Sequence, residues 1–126
     1  MEKRRLILAA AMFAGIAFVD FANAASGLTG EELNSQFDSL VVPFLKAYCL
    51  DCHGTELQEA KLDLSGYATS KDVAEAHQVW EIALDRLVAK EMPPEDSKRQ
   101  PTATQRSAVI DWIRAGRHKA NRTAAR

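Results

Sequence analysis

Several things that this 126-residue chain has little of narrow its reading at once. It has no excess charge of either sign: 16 basic against 17 acidic residues give a formal net charge of −1. That balance argues against nucleic acid, or a strongly anionic surface, as the main partner. It has only two cysteines, and they lie three residues apart at Cys49 and Cys52. A disulfide between them would close a very small loop and restrain the unfolded chain little, so a structural bridge explains them poorly. It has one long apolar run and no internal repeat. A second tight pair of metal ligands, which usually marks a zinc knuckle, is also missing.

The apolar run sits at the start. Met1-Glu2-Lys3-Arg4-Arg5 is a basic opening, Leu6 to Val19 is uncharged and rich in alanine, and Ala22-Asn23-Ala24 is a small-x-small cleavage site. This is the layout of an export signal, and the run is short of the about 20 apolar residues that a spanning helix needs. An uncleaved anchor is the other reading. No cysteine follows closely, which argues against a lipoprotein. Cleavage after Ala24 leaves 13 basic and 15 acidic residues, a mildly acidic exported or periplasmic chain with no stable membrane span. A domain of that size buries a limited core, which a large apolar cofactor or a covalent staple would supplement.

Helical periodicity dominates the remainder, so an all-α fold is expected. Thr29-Gly30-Glu31-Glu32 fits a capping box, and Leu33, Phe37, Leu40, Phe44 and Tyr48 recur at helical spacing. Pro43 interrupts them, which predicts a short helix near 30–38 and a second from about 40–42 to the cysteines. Residues 54–69 lack periodicity and read as a loop with one extended stretch. Val73, Ala76, Trp80, Ala83, Leu84, Leu87 and Val88 trace one stripe of a helix running from Ser70 to about Lys90, ended by Met92-Pro93-Pro94. Thr102 and Gln105 form a further capping box before Val109, Ile110, Trp112 and Ile113, with Gly116 as the expected stop and 117–126 as a basic, frayed tail.

Cys49-Leu50-Asp51-Cys52-His53 is the pattern for c-type haem attachment. Two thioethers must reach neighbouring pyrroles of one flat ring. Three residues of separation near a helix end put both sulfurs on one side and leave the adjacent His53 to turn toward the iron. The opposite face of the iron takes a second ligand if the task is electron transfer, and methionine there raises the potential. Met1 and Met12 fall in the signal, which leaves Met92, in a stiff Pro-Pro turn, as the candidate. His77 and His118 are its rivals. A thioredoxin-like redox pair would expect a βαβ context, and a zinc site would need His53 with His77 or His118 to complete it. Trp80, Trp112, Tyr48 and Phe44 are candidates for packing on a haem, although ordinary core is the better reading of each. Lys46, Lys61, Lys90, Lys98 and Arg99 could ring a haem edge and steer a partner, or be plain solvated surface.

Taken together, Pro43-Phe44-Leu45, Tyr48-Cys49-Leu50-Asp51-Cys52-His53-Gly54, Lys61-Leu62-Asp63-Leu64, Val79-Trp80-Glu81, Glu91-Met92-Pro93-Pro94 and Val109-Ile110-Asp111-Trp112-Ile113 resemble the planctomycete-type cytochrome c domain, over about Phe37 to Ile113. The resemblance implies a small class I-like cytochrome c fold, helices packed around one covalently attached haem c. It implies thioethers at Cys49 and Cys52 and axial ligation by His53 and Met92. The organisation that follows is a signal at 1–24, an extension or short helix at 25–36, the cytochrome domain at 37–116 and the tail at 117–126. The expected role is electron transfer to a redox partner protein rather than catalysis. An electron-entry subunit of a larger enzyme complex, or a haem sensor with an open sixth site, are the alternatives.

Overall fold

The computed structural model describes residues 27–126, and the export signal read at 1–24 lies outside them. The first helix, α1 (Gly30–Gln36), starts where the sequence predicts. The Thr29 hydroxyl accepts from the Glu32 N–H at 3.2 Å and the Glu32 carboxylate accepts from the Thr29 N–H at 2.7 Å, so two orphan donors are satisfied reciprocally.

Both helices expected around Pro43 are present, the second from Val42, but no break separates them. A π turn, Phe37–Val41, leads straight into α2 (Val42–Tyr48), and 30–48 form one continuous rod. The physical reason is the width of that turn. A proline lacks a donor, and its ring clashes with the carbonyl four residues back. In the π turn the Val42 N–H bonds to Phe37 O, five residues back, so the carbonyls ahead of Pro43 are displaced before the ring arrives. The extra residue also shifts the buried face: Val41 and Leu45 join Leu33, Phe37 and Phe44 in the core, while Leu40 and Tyr48 are only partly buried.

The predicted helix from Ser70 to Lys90 is two helices, α3 (Ser70–Glu75) and α4 (His77–Val88), with Ala76 between them at φ −92°, ψ 34°. Thr69 and Asp72 cap α3 with a second reciprocal box. Asn34 Oδ1 accepts the Ser70 N–H at 3.1 Å, which pins α3 to α1, whereas α4 follows the last helix. The bend at Ala76 lets one stretch of chain serve both. Val73, Trp80, Leu84 and Leu87 of the predicted stripe are buried, but Val88 is exposed.

The last helix, α5 (Ala103–Ala124), opens with the predicted Thr102–Gln105 box. Gly116 does not end it, and residues 117–124 are helical rather than a frayed tail. A glycine stop needs the left-handed conformation, and no glycine among the described residues has positive φ. Arg117 anchors the continuation by an ion pair to Glu81 of α4 at 2.9 Å.

The core lies where the 30–48 rod, α4 and α5 meet. Trp112 packs on Phe37 with ring centroids 5.7 Å apart and edge-on to Trp80 at 6.3 Å. Its Nε1–H donates to Leu33 O at 3.0 Å, so the indole is buried without an unmet donor. The fold is all-α: no strand occurs among the described residues, and the extended stretch expected within 54–69 is reduced to an isolated bridge between His53 and Gln58. No described helix is long and apolar enough to cross a membrane.

Candidate haem-attachment site

The attachment motif begins where α2 ends. The Cys49 N–H bonds to Leu45 O at 2.9 Å, and the His53 N–H bonds to Cys49 O at 2.8 Å. The five residues Cys49–His53 thus wind through one more turn after the helix proper. Gly54 closes it: a Cβ there would lie 2.4 Å from Leu50 O, so only a residue without one fits.

The two thiols sit in different surroundings. Cys52 is exposed and Cys49 is partly buried; both are free. Burial first, and the neighbouring Cys52 second, push the Cys49 thiol up to about 12. Its site therefore disfavours a thiolate. That is the opposite of what an activated redox cysteine requires, and it suits a sulfur in a neutral thioether.

His53 is oriented by the loop that follows. Its Nδ1 lies 3.0 Å from Glu59 O. A carbonyl oxygen only accepts, so Nδ1 carries the proton and the Nε2 lone pair is left for a metal. The same loop is stitched to the motif three more times, by Gly54 N–H to Leu57 O at 2.9 Å, Glu59 N–H to Cys52 O at 2.9 Å and Leu64 N–H to His53 O at 2.8 Å. To make these bonds the chain turns back through Ala60 and Lys61, both left-handed at φ 55° and 59°. Strain of this kind, of order 1–2 kcal/mol per non-glycine residue, is retained where surrounding bonds over-determine it.

Met92 is placed by the end of α4. Lys90, at φ 59°, takes the left-handed position that terminates a helix. Its N–H bonds to Leu87 O at 3.2 Å and the Glu91 N–H to Arg86 O at 3.0 Å, the paired bonds of a Schellman motif. The Arg86–Glu91 ion pair bridges the same turn. The Met92 N–H also reaches Arg86 O at 3.3 Å, and Arg106 of α5 donates to Met92 O at 2.5 Å. Met92 is 37% exposed.

Two contacts connect the Met92 loop and α5 to the motif. Arg99 pairs with Asp51, inside the Cys49–His53 turn, at 3.3 Å. Tyr48, just ahead of Cys49, donates from its hydroxyl to Gln105 Oε1 at 3.1 Å, the same oxygen that accepts the Thr102 N–H. The Arg99–Asp51 pair is open to solvent and contributes little to stability on its own; it marks the proximity of the loop.

Of the aromatic candidates, Phe44 and Tyr48 pack with tilted rings 5.0 Å apart in α2, just ahead of the motif, and Phe44 belongs to the core with Trp80 and Trp112. Trp80 Nε1 is buried without a partner. Lys46, Lys61, Lys90, Lys98 and Arg99 are all exposed. His77 and His118, the rival ligands, are exposed on α4 and α5, and no group of three or more His, Cys, Asp or Glu among the described residues is arranged to hold a metal ion. A zinc site completed by either histidine therefore has no geometric basis. An open groove of about 1140 Å³ between α1, α3, α4 and α5 is lined by Trp80, Trp112 and Ile113, and by none of Cys49, Cys52, His53 or Met92.

Sequence reasoning missed Glu59 and Arg106. Glu59 acts through its backbone carbonyl, for which no side-chain pattern exists. Arg106 did carry a signal: it precedes Val109, Ile110 and Ile113 at helical spacing, a cation in an otherwise apolar stripe.

No curated protein and no solved structure matches the chain at a significant level. Residues 49–96 match the family model of planctomycete cytochrome C, which bears out that resemblance from the first cysteine of the attachment motif through the Met-Pro-Pro turn.

Proposed function

We propose that this chain is an exported mono-haem c-type cytochrome that carries electrons, with the haem fastened at Cys49 and Cys52 and its iron ligated by His53 and Met92. Residues 37–116 form the cytochrome domain of this reading, and the signal is cleaved after Ala24. The observation that carries it is the His53 hydrogen bond. A histidine that donates Nδ1–H to a fixed carbonyl presents Nε2 as a ligand of set tautomer, the usual arrangement behind a metal-binding imidazole. It lies in a turn with two free cysteines, within the family match.

The remaining chemistry of the site supports the same group. Cys49 lies in an apolar setting that favours a neutral sulfur, and Cys52 is open to reaction. A bound haem supplies a one-electron ferric/ferrous couple. The protein's part is to orient His53 through Glu59, to hold the Met92 backbone at both its N–H and its carbonyl, and to present a surface to a redox partner. No substrate is transformed.

A pyridine haemochrome spectrum of protein produced with a c-haem maturation system tests attachment; zinc in place of haem sinks the proposal. A weak far-red charge-transfer band in the ferric protein is the mark of methionine ligation, and Met92→Ala is expected to abolish it. Persistence of the band in that variant excludes Met92 as the ligand.

A further inference from the structure

We infer that Arg106 is the positioning residue for Met92, and that its guanidinium sets how firmly the thioether is held on the iron. The inference rests on the proposed His53/Met92 ligation and concerns a side chain outside the matched segment 49–96.

Arg106 sits in the first turns of α5, and its own N–H bonds to Thr102 O at 3.0 Å, so its base is fixed by the capped helix start. From there Nη1 reaches two carbonyls of another segment: Met92 O at 2.5 Å and Leu87 O at 3.4 Å. Leu87 is in the last turn of α4, where the helix dipole favours a cation. No carboxylate among the described residues pairs with Arg106, unlike Arg86, Arg99, Arg114 and Arg117. Its charge is directed at these carbonyls instead.

The two carbonyls depend on it unequally. Leu87 O also accepts from the Lys90 N–H. Met92 O has no other donor among the described residues. Loss of the guanidinium therefore falls on Met92, leaving the helix end capped. A thioether is a weak ligand, and its competition with an added ligand depends on how often the loop swings away. Apparent affinity for the added ligand scales with the fraction of open loop. A charge-assisted hydrogen bond changes such an equilibrium by about tenfold or more.

The experiment is imidazole titration of the ferric, haem-loaded protein, followed at the far-red band, for wild type, Arg106→Leu and Trp112→Phe. Trp112→Phe removes the buried bond to Leu33 O and none to the Met92 segment, so it controls for general loss of stability. Arg106→Leu is expected to bind imidazole about tenfold more tightly and to show a lower midpoint potential, since loosened methionine ligation lowers it; Trp112→Phe stays at the wild-type affinity. Wild-type affinity in Arg106→Leu, or an equal gain in Trp112→Phe, overturns the proposal. Where Arg106→Leu yields no haem-loaded protein, Arg106→Lys is read instead. It keeps the charge but loses the fork, and a gain of at least about threefold is expected; no gain overturns. A wild-type protein without the far-red band refutes the Met92 ligation itself, a failure distinct from a wild type that has the band and an Arg106→Leu that leaves it unmoved.

Discussion

Replacing Gly54 by alanine tests whether the Cys49–His53 turn is held by close packing. The added Cβ would lie 2.4 Å from Leu50 O, and ordinary contact begins at 3.4 Å, so the two groups must separate by about 1 Å. The obstacle is backbone and cannot rotate aside. Either the turn opens, which shifts Cys52 and His53, or Gly54 retreats and weakens the 2.9 Å and 2.8 Å bonds that join Gly54 to Leu57 and Leu64 to His53. Forced overpacking costs about 1–3 kcal/mol, and two weakened backbone bonds cost a similar sum. Alanine returns a few tenths by stiffening the unfolded chain. The net is about 2 kcal/mol, or a fall of roughly 8–16 °C in the melting midpoint of a domain this size. Gly66→Ala is the control, because nothing lies within 4 Å of its Cβ position and its φ is not positive; it should melt at or slightly above wild type. Thermal unfolding of the three haem-loaded proteins, with covalent haem yield measured alongside, decides the matter. A Gly54→Ala protein that matures fully and melts with Gly66→Ala refutes the steric reasoning.

Three further outcomes follow from the same geometry. In chain produced without haem maturation, iodoacetamide at pH 8 should modify exposed Cys52 well before Cys49, whose thiol burial pushes up to about 12; mass mapping of the first adduct to Cys49 contradicts this. Asp72 is held below the ordinary carboxylate range by the Ala68 N–H first and by Thr69 next. Its stabilisation is complete above the unfolded value of about 3.9 and is lost as pH falls through the lower folded value, so Asp72→Asn should flatten the acid limb of stability against pH, checked by urea melts between pH 2 and 6. Trp112→Phe should cost about 1–2 kcal/mol in the same melts, the worth of one buried hydrogen bond; no change would mean that Leu33 O does not need the indole.

The attachment motif is legible in the chain alone because its chemistry is local: two sulfurs and an imidazole at fixed spacing need only one turn of chain. Helix starts are legible for the same reason. Thr29 with Glu32 and Thr102 with Gln105 satisfy donors within four residues, and the apolar stripes around Phe37, Trp80 and Trp112 follow from period alone. Helix ends and joints are not. Whether Pro43 breaks a helix depends on a π turn that buries Phe37 and Val41 against α5. Whether Gly116 stops one depends on the backbone conformation it takes, which here is not left-handed. The bend at Ala76 answers to Asn34, which lies more than forty residues earlier.

The sequence by itself determined the all-α frame and which donor groups it carries: the thiols of Cys49 and Cys52, the imidazole of His53 and the thioether of Met92. Only the tertiary structure decided how those donors are held. The tautomer of His53 follows from the Glu59 carbonyl, the high pKa of Cys49 from its burial, and the fixing of Met92 from Arg106. Each is a contact through backbone or between distant segments, and such contacts exist only once the chain has folded back on itself.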